Sequence, residues 1–345
     1  MNTYHCLRSR IAAAVVASVM LWGAAPVSAS LVGYWPMNET SWTGATDEVV
    51  DASGTGNHGT AENGATTDAG GRFGRAGRFD GLFNTTRVRL PSDPTLDLDS
   101  NGTVSIWAKF DNLYDHPTDP SRTETHNLFR GSSYHTSFLL NQYGNRLLTY
   151  WTSVTGGPQV SVPSSTFTFG TDDWHHVLMT NNGGALTVYA DGEIVGTGTE
   201  AANSFNQQDL WFGGQANRPI NGLADEAAIW NGAISVGQAR SIYNVPTDLG
   251  LDYDLADMID LWDIHAMGPG GSGTIDGIPW KFTSSLPDIT PGTAPNPGDA
   301  YVNHTFLYVA LGGGTGLVHV PEPSTFALAA FSLFGLGFLG WRRRK

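Results

Sequence analysis

The sequence has almost no cysteine and few basic residues. Its one cysteine, Cys6, lies at the N-terminus, ahead of an apolar stretch. Disulfides, thiolate metal sites and a cysteine nucleophile are therefore excluded from the rest of the chain. Lys and Arg total 18 against 32 Asp and Glu, which gives a formal net charge of −14. The sequence has no basic stripe that could neutralise phosphates, so nucleic acid is excluded as a partner.

Charged residues of both signs make up only 14% of the chain, whereas Gly (43) and Trp (11) are abundant. A disordered acidic tail would lack aromatic residues, and a helical bundle would be rich in Glu, Lys, Leu and Ala. The composition is typical of an all-β extracellular domain with many tight turns.

Residues 1–29 have the three parts of a secretory signal peptide. Arg8 and Arg10 precede the apolar stretch 11–22, and Val27-Ser28-Ala29 resembles a cleavage site. The alternative is an N-terminal membrane anchor. Cleavage is favoured because the apolar stretch is short and ends in small residues.

The C-terminal segment 321–345 has a second targeting pattern. Pro321, Glu322 and Pro323 precede the uncharged apolar stretch 324–341, and four basic residues close the chain. The stretch is long enough to span a bilayer as a helix, and the basic end would stay cytoplasmic. The pattern resembles the PEP-CTERM sorting signal of exported bacterial proteins. That resemblance implies an exosortase-type processing protease as partner, export to the cell surface and transient membrane anchoring by the C-terminal helix.

Between residues 30 and 245 the chain shows short strands separated by turns. Residues 103–110 alternate with a period of two, as expected of a strand. Asp191-Gly192 predicts a two-residue hairpin turn, because both positions tolerate positive φ. Further strands are predicted at 174–180, 186–190, 193–196 and 223–230, and a helix at 235–243 with Ser235 as its N-cap. The spacing predicts a sandwich of two antiparallel sheets.

Six landmarks in this region occur in the order found in LamG-like, concanavalin A-type jelly-roll domains. They are the opening strand 31–38, the loop 51–59, the turn 77–81, the hairpin segments 174–177 and 189–192, and the closing strand 222–230. The region 30–245 therefore resembles that family, and the resemblance implies a jelly-roll fold.

The same resemblance implies one structural calcium ion that ties the first strand to the last. Asp225 would be a side-chain ligand, and carbonyl groups near Asn38 and Gly59 would complete the site. Asp51 would either contribute to it or cap its own loop. The alternative for Asp225 is that it accepts hydrogen bonds from turn amides.

Residues 246–320 differ in composition and predict a small appendage. Asp254 is placed to cap a helix whose apolar stripe is Leu255, Met258, Ile259 and Trp262. A hairpin is predicted at 274–280, a proline-rich loop at 287–298 and a strand at 301–311. The predicted appendage is a helix plus a hairpin, and it is too small for independent folding to be predicted.

The sequence offers no set of residues typical of a catalytic site. Gly54-x-Gly56-x-x-Gly59 lacks the strand and helix that a dinucleotide fingerprint needs. Glycoside hydrolysis needs two facing carboxylates, and the adjacent Asp225 and Glu226 should point to opposite sides of a strand. We therefore expect a protein that is not an enzyme, with a divergent glycosidase or lyase as the minor alternative.

Carbohydrate binding is the function predicted for the sandwich. Trp107, Trp151 and Trp211 are candidate stacking platforms, although buried core positions are the usual place for such residues. The acidic chain would repel anionic polymers, so a neutral polysaccharide is the expected ligand. The alternative is an architectural surface protein without a small ligand.

Overall fold

The computed structural model describes residues 29–319, apart from 82–85, 99–100, 112–124, 132–136, 144–145, 153–158, 200–209, 215–219, 250–251, 268–271, 276–277, 283–299, 303–305 and 312–313. The predicted signal peptide up to Ser28 lies outside these residues. So does the predicted sorting segment with its membrane-spanning helix. No helix within the described residues is long and apolar enough to cross a membrane.

The described chain forms twenty strands and two α-helices. In chain order the strands are β1 (Leu31–Trp35), β2 (Thr60–Glu62), β3 (Thr66–Asp68), β4 (Ala76–Asp80), β5 (Arg87–Leu90), β6 (Asn101–Phe110), β7 (Thr125–Gly131), β8 (Ser137–Tyr143), β9 (Arg146–Thr152), β10 (Gln159–Val162), β11 (Trp174–Asn182), β12 (Ala185–Ala190), β13 (Glu193–Thr199), β14 (Leu210–Phe212), β15 (Asn221–Trp230), β16 (Ser272–Ile275), β17 (Ile278–Phe282), β18 (Ala300–Val302), β19 (Phe306–Leu311) and β20 (Gly314–His319). The helices are α1 (Val236–Leu249) and α2 (Leu255–Ala266).

Two antiparallel sheets form the predicted sandwich. The eight-stranded sheet has the order β13-β12-β11-β6-β15-β4-β3, with β1 also paired to β15. The seven-stranded sheet has the order β10-β9-β8-β7-β14-β5-β2. Alternate residues of both sheets, among them Phe79, Ile106, Val177 and Phe212, fill one hydrophobic core between them. The period-two alternation therefore predicted the inward faces correctly.

The predicted hairpin turn at Asp191-Gly192 is confirmed. β12 ends at Ala190, β13 begins at Glu193, and the two turn residues have φ angles of 49° and 78°. Only residues that tolerate left-handed backbone can occupy both positions, and Asp and Gly do so at low cost.

β15 carries two shorter strands on one of its edges. Its first half pairs with β4, its second half pairs with β1, and β6 pairs along its other edge. A β-bulge interrupts the register with β6 between Asp225 and Ala228, and Glu226 has a φ of 52°. The bulge lies where the edge changes partner from β4 to β1.

The two helices cover the outer face of the eight-stranded sheet. Ser235 caps α1 by accepting a hydrogen bond from the backbone N–H of Gln238, as predicted, but the helix continues to Leu249. The predicted domain boundary after residue 245 therefore falls inside α1. A second core joins the helices to the sheet, and its members include Tyr34, Leu178, Tyr189, Trp230, Ile242 and Leu255.

The appendage is larger than the predicted helix and hairpin. α2 begins after Asp254, which accepts a hydrogen bond from the backbone N–H of Asp257, so the predicted cap is confirmed. The predicted hairpin forms as β16 and β17, and β18, β19 and β20 extend it to a five-stranded sheet. β17 and β18 run parallel, and the other pairs are antiparallel. β17 and β18 are separated by a long connection in the sequence. Their pairing could therefore not be predicted from local sequence patterns.

Candidate binding face and buried carboxylates

Trp107 lies beneath the helices and not on an open surface. Its side chain is 1% exposed and stacks on Tyr243 of α1, with ring centres 5.5 Å apart. His176 and Phe73 contact other parts of the same indole. The strand face predicted to be free is thus covered by α1, and this corrects the expectation that Trp107 stacks on a sugar.

Asp225 and Glu226 lie on the same side of β15, contrary to the sequence-based expectation. Their neighbours Ala224 and Ala227 both belong to the core between the sheets. The bulge supplies one extra residue, so two consecutive side chains point outward beneath the helices. Asp225 is 0% exposed and Glu226 is 1% exposed. Both carboxylates lie beneath the helices and accept hydrogen bonds from the chain itself, so they do not flank an open cleft of the kind that a glycosidase needs.

Each buried carboxylate holds a neighbouring segment in place. Asp225 Oδ2 accepts hydrogen bonds from the backbone N–H groups of Arg72 (2.8 Å) and Phe73 (3.1 Å). Glu226 Oε2 accepts from the Tyr34 hydroxyl at 2.7 Å and from the backbone N–H of Leu255 at 2.8 Å. Glu226 Oε1 is buried without a hydrogen-bond partner. Glu226 therefore connects β1, β15 and the first turn of α2.

Burial controls the protonation of this pair. Burial raises the pKa of Glu226 well above its ordinary value, and the nearby charges of Asp225 and Asp254 raise it further. Burial also raises the pKa of Asp225, against the lowering effect of its backbone hydrogen bonds. The phenol pKa of Tyr34 is raised by burial and by Glu226. The pair therefore holds protons at pH values where exposed carboxyl groups have lost them.

The predicted calcium ligands accept hydrogen bonds from the chain itself. Asp51 accepts four hydrogen bonds, from the backbone N–H groups of Tyr34, Ser53 and Asn57 and from the Thr55 hydroxyl. The carbonyl oxygen of Gly59 accepts from the Val49 N–H, and Asn38 Oδ1 accepts from the Arg75 N–H.

Asp225 Oδ1 also accepts a hydrogen bond from the backbone N–H of Glu226. Within the described residues, no group of three or more acidic, His or Cys side chains is arranged to hold a metal ion. Asp225 and Asp51 thus bind backbone N–H groups, which is the alternative given for each of them, and the calcium site stays a prediction.

Trp211 lies on the outer face of the seven-stranded sheet. Its neighbours Leu210 and Phe212 face the core, and it pairs directly with Arg89 of β5 and Arg130 of β7. Directly opposed residues of antiparallel strands share a face, so the three side chains form a row across the sheet. Arg89 is exposed, Trp211 is 7% exposed and Arg130 is 2% exposed. The row therefore runs from solvent into a buried region.

Glu62 links two arginines at the exposed end of this row. Its Oε2 accepts from Arg87 Nε at 2.7 Å, and its Oε1 accepts from Arg89 Nε at 2.7 Å. Burial would raise the pKa of Glu62, but the hydrogen bonds and charges of the two arginines outweigh it and lower the pKa. The Arg87 guanidinium lies 4.6 Å from the centre of the Trp211 ring. One face of Trp211 thus supports Arg87 and is not an open sugar platform.

Asn127 belongs to the same face because of a second bulge. The register of β7 with β8 shifts between Asn127 and Phe129, so that Asn127 pairs with Asn141 and Arg130 with Leu139. Partners two residues apart on β8 share a face, and Asn127 therefore lies on the face of Arg130 and Trp211. We call the set Glu62, Arg87, Arg89, Asn127, Arg130 and Trp211 the arginine face.

Two residues of the arginine face have buried polar atoms without a partner. Asn127 is 0% exposed, and neither its amide oxygen nor its amide nitrogen makes a hydrogen bond. The indole N–H of Trp211 is likewise buried and unpaired. Native proteins satisfy nearly all buried polar groups, and each exception calls for a ligand, a water or another explanation. The unpaired atoms offer two donors and one acceptor, which suit a hydroxylated ligand.

Trp151, the third predicted platform, lies on β9 opposite Phe138 of β8. Its side chain is outside the described part of the chain.

Four residues of the arginine face were not predicted from the sequence, namely Arg87, Arg89, Arg130 and Asn127. The alternation Arg87-Val88-Arg89-Leu90 was a visible signal that two arginines share an exposed strand face. No sequence signal marked Asn127, because its orientation depends on the bulge.

No curated protein matches this chain, whereas solved structures do. The binding domain of Paraclostridial Mosquitocidal Protein 1 shares 16% identity and a TM-score of 0.51, with 63% of this chain and 52% of that chain covered. The match thus spans about half of that protein's length.

A second solved structure is domain 4 of AbnA, a GH43 extracellular arabinanase from Geobacillus stearothermophilus, in complex with arabinotriose. It shares 20% identity with a TM-score of 0.48, covering 62% of this chain and 98% of that chain. At these identities the comparisons concern the fold alone.

Two family models match separate parts of the chain. Residues 80–240 match the model described as the concanavalin A-like lectin/glucanases superfamily. Residues 319–345 match the PEP-CTERM protein-sorting motif. Both resemblances predicted from the sequence are thus confirmed, each by a family model over its own part of the chain.

Proposed function

We propose that this chain is an exported surface protein whose sandwich binds carbohydrate, without catalysis, on the arginine face. The sorting motif supports export, since its known role in exported proteins is to direct them to the cell surface. An exosortase-type protease is the proposed processing partner. The superfamily includes both lectins and glucanases, so the fold alone does not choose between binding and hydrolysis.

The observation that carries the proposal is Asn127, which is fully buried with both amide atoms unpaired. An isolated buried amide costs about 1–3 kcal/mol, and sugar hydroxyl groups would satisfy both its donor and its acceptor. The unpaired indole N–H of Trp211 lies on the same face and adds a second donor. The arginine face therefore has polar groups for which the described residues supply no partner and which a ligand could satisfy.

The proposal places no catalysis on this face. Among its described side chains Glu62 is the acidic one, and it is engaged by Arg87 and Arg89. Hydrolysis of a glycosidic bond needs a second carboxylate across the bond. The adjacent carboxylates Asp225 and Glu226 lie elsewhere, buried beneath the helices.

Arg89→Ala tests the proposal directly. We expect the full chain, purified in mild detergent, to bind members of a glycan array. Arg89→Ala should weaken that binding about tenfold, the loss of one charge-assisted hydrogen bond. Arg89 is exposed, so the fold should survive, and the melting temperature checks this.

Arg78→Ala is the matched control. Arg78 is also paired with one carboxylate, Asp111, but it lies on β4 of the other sheet. It should leave binding unchanged. If Arg78→Ala and Arg89→Ala weaken binding equally, or if no glycan binds, the proposed function is wrong and an architectural role replaces it.

A further inference from the structure

We propose that the glycan bound by the arginine face is acidic and carries a uronic-acid carboxylate. This inference rests on the proposed function and deepens it. It departs from the neutral ligand expected from the net charge of the whole chain, because recognition depends on the charges at the face itself.

The arginine face concentrates positive charge on an acidic protein. Arg87, Arg89 and Arg130 share it with a single described acidic side chain, Glu62. The whole chain has only 18 Lys and Arg and a net charge of −14. Long-range repulsion is screened beyond about 8 Å at physiological salt, so a bound carboxylate responds chiefly to the nearby arginines. The Arg87 and Arg89 guanidinium groups beside Trp211 are therefore a local site for an anion.

Glu62 shows the geometry that a carboxylate adopts between these arginines. Each of its oxygens accepts from a different guanidinium at 2.7 Å. Arg89 uses its Nε for this contact, and its side chain is 45% exposed. The two terminal nitrogens of Arg89 make no hydrogen bond within the described residues. A guanidinium edge of this kind binds a ligand carboxylate through two parallel hydrogen bonds.

The remaining groups of the face suit a sugar ring more than a simple anion. Asn127 and Trp211 supply uncharged donors and an acceptor along the same row. Hydroxyl groups next to a carboxylate on one ring would engage both kinds of group. A sulfate ion alone would accept from the amide nitrogen of Asn127 but would leave its amide oxygen without a donor. A uronic acid carries both the carboxylate and the hydroxyl groups on one sugar ring.

A pair of matched probes tests the inference. Oligogalacturonate and its methyl ester have the same sugar backbone and differ in the charge of each carboxyl group. We expect the full chain in mild detergent to bind the acid at least tenfold more tightly than the ester at 20 mM salt. The preference should shrink at 500 mM salt, where exposed charges are screened. A chelator is present throughout, so that calcium cannot bridge the acid to the acidic protein.

The Arg89→Ala variant assigns the preference to the arginine face. It should reduce binding of the acid about tenfold and change binding of the ester much less, while Arg78→Ala changes neither. Equal or tighter binding of the ester overturns the acidic ligand and leaves the proposed function intact. A preference for the acid that Arg89→Ala does not reduce overturns the assignment to this face. If neither oligosaccharide nor any arrayed glycan binds, both proposals are wrong.

Discussion

At the residue scale, Glu226 is the most consequential side chain beneath the helices. It accepts hydrogen bonds from Tyr34 and Leu255, but Oε1 has no partner. Charging such a group requires desolvation that its two hydrogen bonds only partly offset. Asp225 and Asp254 add like charges nearby. Glu226 therefore links α2 to the eight-stranded sheet through its hydrogen bonds. The stability of this link depends on pH, because the buried carboxyl group is destabilised when it loses its proton.

We predict that Glu226→Gln raises the melting temperature at pH 8 and has little effect near pH 4. The folded-state pKa of Glu226 is raised, so its contribution to stability is fully present below its ordinary value and is lost as pH rises through the folded value. Gln keeps an oxygen acceptor for Tyr34 and Leu255 and removes the charge. Thermal melts of both proteins between pH 4 and 8 measure the difference.

Asp260→Asn on the exposed side of α2 is the control and should show no such trend. His176 contributes a trend of the opposite sign, because burial lowers its pKa to about 4. Its contribution to stability is lost as pH falls from about 6.5 towards 4. That trend is common to both proteins and cancels in the comparison. A Gln variant less stable than the wild type at pH 8 would contradict the prediction.

At the element scale, α2 of the appendage packs against the eight-stranded sheet of the sandwich. Leu255 is 1% exposed and belongs to the core that joins the helices to the eight-stranded sheet. Trp262 donates its indole N–H to Ser241 of α1 at 2.9 Å and contacts Trp230 of β15. The two helices and the sheet therefore bury one continuous apolar surface.

We predict that Leu255→Ala lowers the free energy of unfolding of the sandwich by about 2–5 kcal/mol, the usual cost of deleting a buried leucine side chain. Met267→Ala, at a position 64% exposed just after α2, should change it by less than about 0.5 kcal/mol. Denaturant unfolding, followed by tryptophan fluorescence, measures both. Unfolding of the sandwich at the wild-type midpoint in Leu255→Ala would mean that α2 is a separate unit.

At the scale of the whole molecule, the net charge of the chain and the positive charge of the arginine face have opposite effects on the binding of an acidic glycan. The net charge of −14 becomes more negative once the four terminal basic residues are removed. Such a charge favours solubility and repels anionic polymers at long range. The arginine face nevertheless presents the exposed guanidinium group of Arg89 to a ligand. Binding to an acidic glycan should therefore depend on short-range contacts and on salt.

We predict that the exported protein lacks the segment after about residue 320. The sorting motif matches residues 319–345, and processing near Pro321-Glu322-Pro323 would release the basic end and the apolar stretch. Intact-mass measurement of protein extracted from the surface of the native host tests this, with the full chain expressed in a host without exosortase as the control. Recovery of surface protein that still ends in Lys345 would contradict the sorting role.

The sequence by itself determined the elements that depend on local physics. Alternation fixed the inward faces of strands such as β6, because side chains of a strand alternate regardless of what packs on them. The turn at Asp191-Gly192 and the cap at Asp254 were predictable, since each depends on the preferences of two to four adjacent residues. The order of the landmarks then indicated the sandwich.

Only the tertiary structure decided which surfaces remain open and which polar groups converge. The bulges at Asp225 and Asn127 each add one residue to a strand, and one residue is enough to move a side chain to the other face. α1 covers Trp107, which no pattern within β6 could reveal. The arginine face joins β2, β5, β7 and β14, four strands far apart in the sequence. Its composition follows from their pairing, because non-local register brings these side chains together.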